Sequence, residues 1–515
     1  MVINAIWVIR DVAPPPWDQS WYLETSQNLY HILTKNGIFA FLWNIQFALG
    51  GVKAPLISLL PIPLYLAFGN SEISAMIVNA VFLFLSTVYL YKTTISLYQN
   101  ERIAFSSILI FHTLTLSNAL NRQFLVEYGL ASIIIIFIYY LLKSNYFKDK
   151  RANTALGIAL GFGMLMKITF PMYIIGPTVL VLILSYKQSN QVYGKNNCYQ
   201  MVKVLIIGLL ISSIWYARNI WSILNFALSA GFGSAGAAYG SENVFSLKII
   251  YNYWSLFVNE AISEYYFILA LIISIAYIIT LIRLKSNYIN KKNAVWLFLW
   301  FIIPFIILTL GTNKDLRYIY PILPVFAISV SAMISKIVKN NLAFIITCLL
   351  LIIYPFINMV YVSFFTTNRN VMGYFIHPPD QRSWPLNEII EYINIKNVAD
   401  TSKLPYSIVA VEHGIINANT FSYLASTRDF TYPLYFTSLG YMENDISHSL
   451  RRINEIKPRF IIFQEGIPTG ELSEMFNKCN NAVRKTLDSN VDIHYKIDRE
   501  FKFNDGVKLI LYQRY

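Results

Sequence analysis

Apolar residues fall along this chain in long blocks, with little alternation between them. Ten stretches approach or reach membrane-spanning length, at about 72–98, 102–120, 124–142, 153–169, 171–186, 203–222, 262–284, 294–311, 316–336 and 342–362. A helix needs roughly 20 apolar residues to cross a hydrocarbon core. "PLISLLPIPLYLAFG" (55–69) is apolar but short and broken by Pro61 and Pro63, which predicts a re-entrant or interfacial segment. "MVINAIWVI" (1–9) reads as the outer end of a first helix whose inner part is missing, as from an upstream start or a truncated chain. After Phe365 the pattern changes. Short β-rich runs at 406–412, 459–465 and 507–515 alternate with helical stretches at 443–457 and 469–490, which predicts a soluble α/β domain with a small sheet. The expected organisation is a polytopic helical membrane domain at 1–365, with a first outer loop at 10–55, followed by an α/β domain at 366–515.

Charge gives this arrangement a direction. Only 13% of the 515 residues are charged and 56% are hydrophobic, and the net charge is +13. One set of alternate connections holds fifteen basic residues against Glu101 and Asp149, whereas the opposite set, with residues 1–54, holds nine of each sign. Residues 366–515 carry seventeen of each sign. By the positive-inside rule the first set faces the cytoplasm. The whole excess is then a matter of membrane orientation, and a nucleic-acid partner is unnecessary. An even number of spans puts the stretch "VAPPPWDQSWYLETSQNLY" (12–30) and residues 366–515 together on the extracytoplasmic side of a cell membrane. Cys198, Cys348 and Cys479 lie far apart, which excludes a disulfide framework and a CxxC metal site. No cofactor or metal is indicated.

Ionisable groups in hydrocarbon are expensive, so their placement is informative. No Asp or Glu stands near the middle of a span. Asp18, Glu24 and Glu127 gather at the outer face, with Lys53, Arg122, Lys167, Arg218 and Arg317 at the same level. Carboxylates and cations at one membrane surface suit a reaction on a phosphate-bearing lipid: cations hold the phosphate, and a carboxylate takes a proton from an attacking hydroxyl or amine. Each cation also has a plain reading, as a side chain snorkelling to headgroups. Asp18 reads equally as a loop residue or helix cap. A lipid-facing carboxylate at Glu127 would be costly. His112, inside a span, reads as a packing histidine. "EHGIINANTFSYLAS" (412–426) has the form of a strand-to-helix loop, which either binds a ligand or merely connects.

The order of these landmarks resembles the GT-C glycosyltransferases of the protein O-mannosyltransferase and aminoarabinose–lipid A transferase group. The Asp-containing first-loop motif is matched by "PPWDQSWYLE", with Asp18, Tyr22 and Glu24. "KAPL" (53–56) stands where the family has (K/H)PPL, and "RQFLVE" supplies Arg122 and Glu127. "GFGMLMKITFP" supplies Lys167, "SIWYARN" (213–219) matches a further element, and "RYIYPILP" (317–324) preserves RYxxPxxP with Arg317 and Tyr318. Gln19 replaces the second acid of the family's DE pair, and Ala54 replaces a proline.

The resemblance implies a GT-C fold and inverting transfer of a sugar from a polyprenyl-phosphate donor to an extracytoplasmic acceptor of unspecified class. It implies Asp18 as general base and Glu127 as its catalytic partner. Lys53, Arg122, Lys167 and Arg317 would contact the donor phosphate, and Tyr22, Glu24 and Tyr318 the substrate. On this reading the three prolines stiffen the chain where it leaves the membrane and present Asp18. The alternative is an envelope polysaccharide ligase or a lipid-linked-sugar flippase. A ligase calls for a large outer loop with Arg and His, and the loop at 223–260 holds neither.

Overall fold

The computed structural model describes residues 2–189, 194–232, 246–283, 291–366, 377–399, 406–440, 443, 445–465, 471–489, 494–502 and 507–515. The expected basic connection at 283–292 falls largely outside these ranges, and the expected domain boundary at 365/366 directly precedes residues outside them. Among the described residues, eight helices are long and apolar enough to span a membrane: Glu72–Tyr98, Val126–Lys143, Phe170–Lys187, Cys198–Ser229, Glu264–Arg283, Asn293–Leu310, Leu316–Ile337 and Asn341–Phe364. The stretch expected at 102–120 is a pair of helices, Glu101–Thr113 and Thr115–Asn121, bent by 65°. The stretch at 153–169 is the 17-residue helix Lys150–Met166. The apolar blocks are therefore the helices of a polytopic membrane protein. Residues 55–69 form two short helices, Leu56–Leu59 and Ile62–Phe68, separated at Pro61.

Compactness divides the chain into two interleaved units. The first comprises Met1–Trp7, Ile38–Leu60 and Met76–Pro378, and the second Val8–Gly37, Pro61–Ala75 and Pro379–Tyr515.

In the first unit, glycines let two helices approach closely. Lys150–Met166 lies against Gly194–Phe232. A Cβ at Gly157 would stand 2.8 Å from the Cβ of Ile207, and one at Gly161 2.6 Å from that of Ile211. Small residues let backbones approach, and dispersion replaces the hydrophobic drive that lipid cannot supply. His112 is held from within this unit: its Nε2 meets the Thr87 hydroxyl at 2.9 Å.

The second unit is built on a five-stranded sheet of order β2-β1-β3-β5-β4. The strands are β1 Tyr406–Ala410, β2 Tyr435–Ser438, β3 Phe460–Glu465, β4 Tyr495–Lys502 and β5 Lys508–Arg514. β1 pairs in parallel with β2 and β3, whereas β5 pairs antiparallel with β3 and β4. Successive residues of the inner strands point to opposite faces. Val409, Phe460, Ile462 and Leu511 enter one core with Leu386, Ile390 and Phe421. Ile408, Ile461, Phe463 and Ile510 enter the other with Ile453, Val483 and Leu487. The three strand runs and two helices expected from sequence are present; β2 and β4 are additional.

Candidate functional site

Asp18, Tyr22 and Glu24 lie on the helix Trp17–His31 of the second unit. The proline run ends at Pro16, which is extended and immediately precedes that helix. The loop at 412–426 receives this turn. Trp17 donates its backbone N–H to the Gly414 carbonyl at 3.1 Å. The hydroxyls of Ser20 and Thr420 both donate to the Pro15 carbonyl. Trp17 has φ of 31°, unfavourable for a bulky residue, and its indole meets Phe476 edge-on at 6.1 Å. Such strain persists only where surrounding contacts fix it. Asp18 is thereby set, half-buried, in the first turn of a helix, where the dipole favours negative charge. Glu24 is pushed up to about 7 by burial, against a smaller opposing effect of its hydrogen bond with Asn28. Tyr22 is buried.

The remaining expected residues belong to the first unit. Glu127 sits in the first turn of Val126–Lys143. Lys167 follows the last residue of Lys150–Met166, where the chain becomes extended. The Phe170 ring lies against Gly163 and leaves no room for a side chain there. Lys167 Nζ and Glu127 Oε1 are 2.5 Å apart, with the two side chains 16% and 2% exposed. The other oxygen, Glu127 Oε2, is buried and without a hydrogen-bond partner. The same ammonium lies 4.0 Å from the centre of the Tyr318 ring. Tyr173 fixes this corner by donating its hydroxyl to the Tyr318 carbonyl at 2.7 Å. Three landmarks distant in sequence thus converge: Glu127, Lys167 and Tyr318.

The "RYIYPILP" stretch opens as a 3-10 turn, Leu316–Ile322, and divides its side chains between tasks. Arg317 is clamped by Asp315, with Nε at 2.8 Å and Nη2 at 2.5 Å from Oδ2. Tyr320 stacks between Phe111 and Tyr128.

Arg122 has a different setting. It is 7% exposed, and its Nε donates to Asn4 Oδ1 at 2.9 Å and its Nη2 to Ser363 Oγ at 3.0 Å. Its guanidinium also lies 5.2 Å from the Trp7 ring. Lys53 precedes the Leu56–Leu59 helix, which packs on Lys150–Met166. Arg218 lies on Gly194–Phe232.

Sequence reasoning passed over Asp315, Tyr173, Asn4 and Trp7. An Asp two residues before Arg317 at a helix start was a usable signal for the first. Among the described residues, no three or more His, Cys, Asp or Glu side chains gather as metal ligands would.

Residues 52–217 match the family model of dolichyl-phosphate-mannose-protein mannosyltransferases. That span holds Lys53, Arg122, Glu127 and Lys167, while Asp18 and Arg317 lie outside it. Two structures of ArnT from Cupriavidus metallidurans, one bound to undecaprenyl phosphate and one in the apo state, are similar to this chain. Each aligns over 99% of this chain and 96% of its own, with 11% identity and a TM-score of 0.55. A structure of the Archaeoglobus fulgidus oligosaccharyltransferase, in complex with zinc and sulfate, aligns over 90% of this chain and 67% of its own. Its identity is 11% and its TM-score 0.51. No curated protein sequence matches. The chain has the GT-C fold. The resemblance read from its ordered motifs holds at the level of that class.

Proposed function

We propose that this protein is an inverting glycosyltransferase that moves a sugar from a polyprenyl-phosphate donor to a hydroxyl or amine acceptor outside the cytoplasm. One observation carries the reading. The motifs stand in family order on a chain whose fold matches, over nearly its whole length, an enzyme bound to undecaprenyl phosphate. Asp18 takes the acceptor's proton as the acceptor attacks the anomeric carbon. The bond from that carbon to the donor phosphate oxygen breaks, and configuration inverts. The lipid phosphate departs with its charge offset by Lys53, with Arg317 as a further cation. Glu127 and Lys167 act as a buried pair with Tyr318 at the substrate, and Tyr22 and Glu24 contact the sugar or acceptor. Arg122 is assigned to positioning, because Asn4, Trp7 and Ser363 already engage its guanidinium. The fifteen-to-two basic excess supports an extracytoplasmic site in a multi-pass cell-membrane protein.

The test is to incubate membranes holding the protein with labelled polyprenyl-phosphate hexoses and pentoses, and to follow the label. Transfer is expected from one of these donors. It should fall by about 10²–10⁴-fold in Asp18→Asn, with protein level and donor binding retained. Full turnover by the Asn variant would remove Asp18 from the chemistry.

A further inference from the structure

A groove of about 500 Å³ lies between the helices Lys150–Met166 and Gly194–Phe232, lined by Lys150, Arg151, Thr154, Ala155, Ile158 and Lys203. Three of these six residues are cations. Lys203 Nζ donates to the Thr154 hydroxyl at 3.1 Å, which leaves two ammonium protons for another acceptor. Lys150 and Arg151 are exposed, and no carboxylate pairs with any of the three among the described residues. The nearest acid in sequence, Asp149, is engaged elsewhere: its Oδ1 accepts the backbone N–H groups of Arg151 and Ala152 at 2.9 and 3.0 Å. Away from the cations the same helical stripe turns apolar. Ile158 is 40% exposed and Phe162, one turn further, 43%. Cations above an apolar, lipid-facing stripe match an amphiphile with a charged head and acyl chains.

We propose that this groove binds an anionic phospholipid. Its headgroup phosphate would sit among Lys150, Arg151 and Lys203, and an acyl chain would lie along Ile158 and Phe162. Basic pockets between transmembrane helices recognise anionic headgroups in this way, and each cation near the surface contributes about a fivefold factor in affinity. Bidentate donation makes Arg151 the natural partner of two phosphate oxygens, with the lysines acting as point charges. The connection at 143–151 belongs to the basic set of connections, the side on which anionic lipids attract basic residues. This site is separate from the residues assigned to transfer and does not depend on that assignment.

The test uses the full-length protein, purified in detergent, stripped of lipid and observed by native mass spectrometry. Phosphatidylglycerol, phosphatidylcholine of the same chain length and inorganic phosphate are the probes. Phosphatidylglycerol is expected to be retained in preference to phosphatidylcholine. Replacing Lys150, Arg151 and Lys203 together by Ala should weaken its retention about a hundredfold. Replacing Lys92, Lys336 and Lys339 together, with the same loss of charge, should change it little. Ile158→Glu, which leaves all three cations in place, should also abolish retention. Equal weakening by both triple variants would show diffuse surface charge and overturn the site. Displacement of the lipid by millimolar inorganic phosphate would reassign the groove to the free anion.

Discussion

Removal of the Lys167 ammonium is the most informative single perturbation in the first unit. Glu127 is 1% exposed, one carboxylate oxygen has Lys167 at 2.5 Å, and the other has no hydrogen-bond partner. Lys167→Met leaves that carboxylate buried without its counter-ion, a change that costs about 3–5 kcal/mol. Glu127→Gln strands the ammonium instead, at a similar cost. Replacing both removes two charges that had each other as partner, so the double variant should lose no more than either single one. The expected coupling is therefore about 3 kcal/mol, a large share of a typical 5–15 kcal/mol total stability. Equilibrium unfolding of the four proteins in mixed micelles, followed by tryptophan fluorescence, measures it. Strict additivity, with coupling below about 0.5 kcal/mol, would refute the claim that these residues form one electrostatic unit.

Three other outcomes are expected. Lys53→Met should cut transfer at least tenfold and weaken donor binding, while Lys53→Arg keeps part of both; equal kinetics in all three proteins would identify a lysine that merely snorkels. Glu412 is pushed up to about 7 by burial. Below its ordinary value of 4.5 it is protonated whether folded or unfolded. Between 4.5 and 7 the unfolded chain gives up its proton first, so stability falls as pH rises, by about 3 kcal/mol at most, and then levels. Glu412→Gln should therefore gain stability over the parent at pH 8 and not at pH 4, as read from Tm at each pH; a gain equal at both would exclude ionisation as its source. In a Cys198→Ser background, an impermeant thiol reagent applied to intact cells should label Lys496→Cys and spare Asn145→Cys; the reverse would invert the membrane orientation.

The spans were legible because lipid imposes one simple requirement, and long apolar blocks meet it. The Lys150–Met166 helix met it by composition and not by length. Strand β4 escaped notice for a physical reason: "YKIDREFK" lies at the sheet edge with Lys496, Arg499, Glu500 and Lys502 facing solvent, and edge strands carry charge. The candidate site could be proposed from sequence as residues and not as partnerships. Glu127 and Lys167 were each singled out, but only the fold brings side chains forty positions apart to 2.5 Å. Arg122 illustrates the converse. Its sequence setting resembles a phosphate contact, whereas its real surroundings involve Asn4 and Ser363, which no local pattern connects to it. Asp18 read equally as a loop residue or a helix cap, and the contact that seats its helix start, with Gly414, lies nearly four hundred residues away.

That separation sets an order of events during synthesis. The helix carrying Asp18 is made first, and the carbonyl and hydroxyl that seat it, from Gly414 and Thr420, follow nearly four hundred residues later. At about 5–20 residues per second, the interval is on the order of 20–80 s. Through that time the ribosome continues threading helices into the bilayer while the Asp18 segment waits without its final contacts. A nascent chain halted between Phe364 and Gly414 has its membrane helices and no seat for Asp18, so maturation of the proposed catalytic segment waits on synthesis past Thr420.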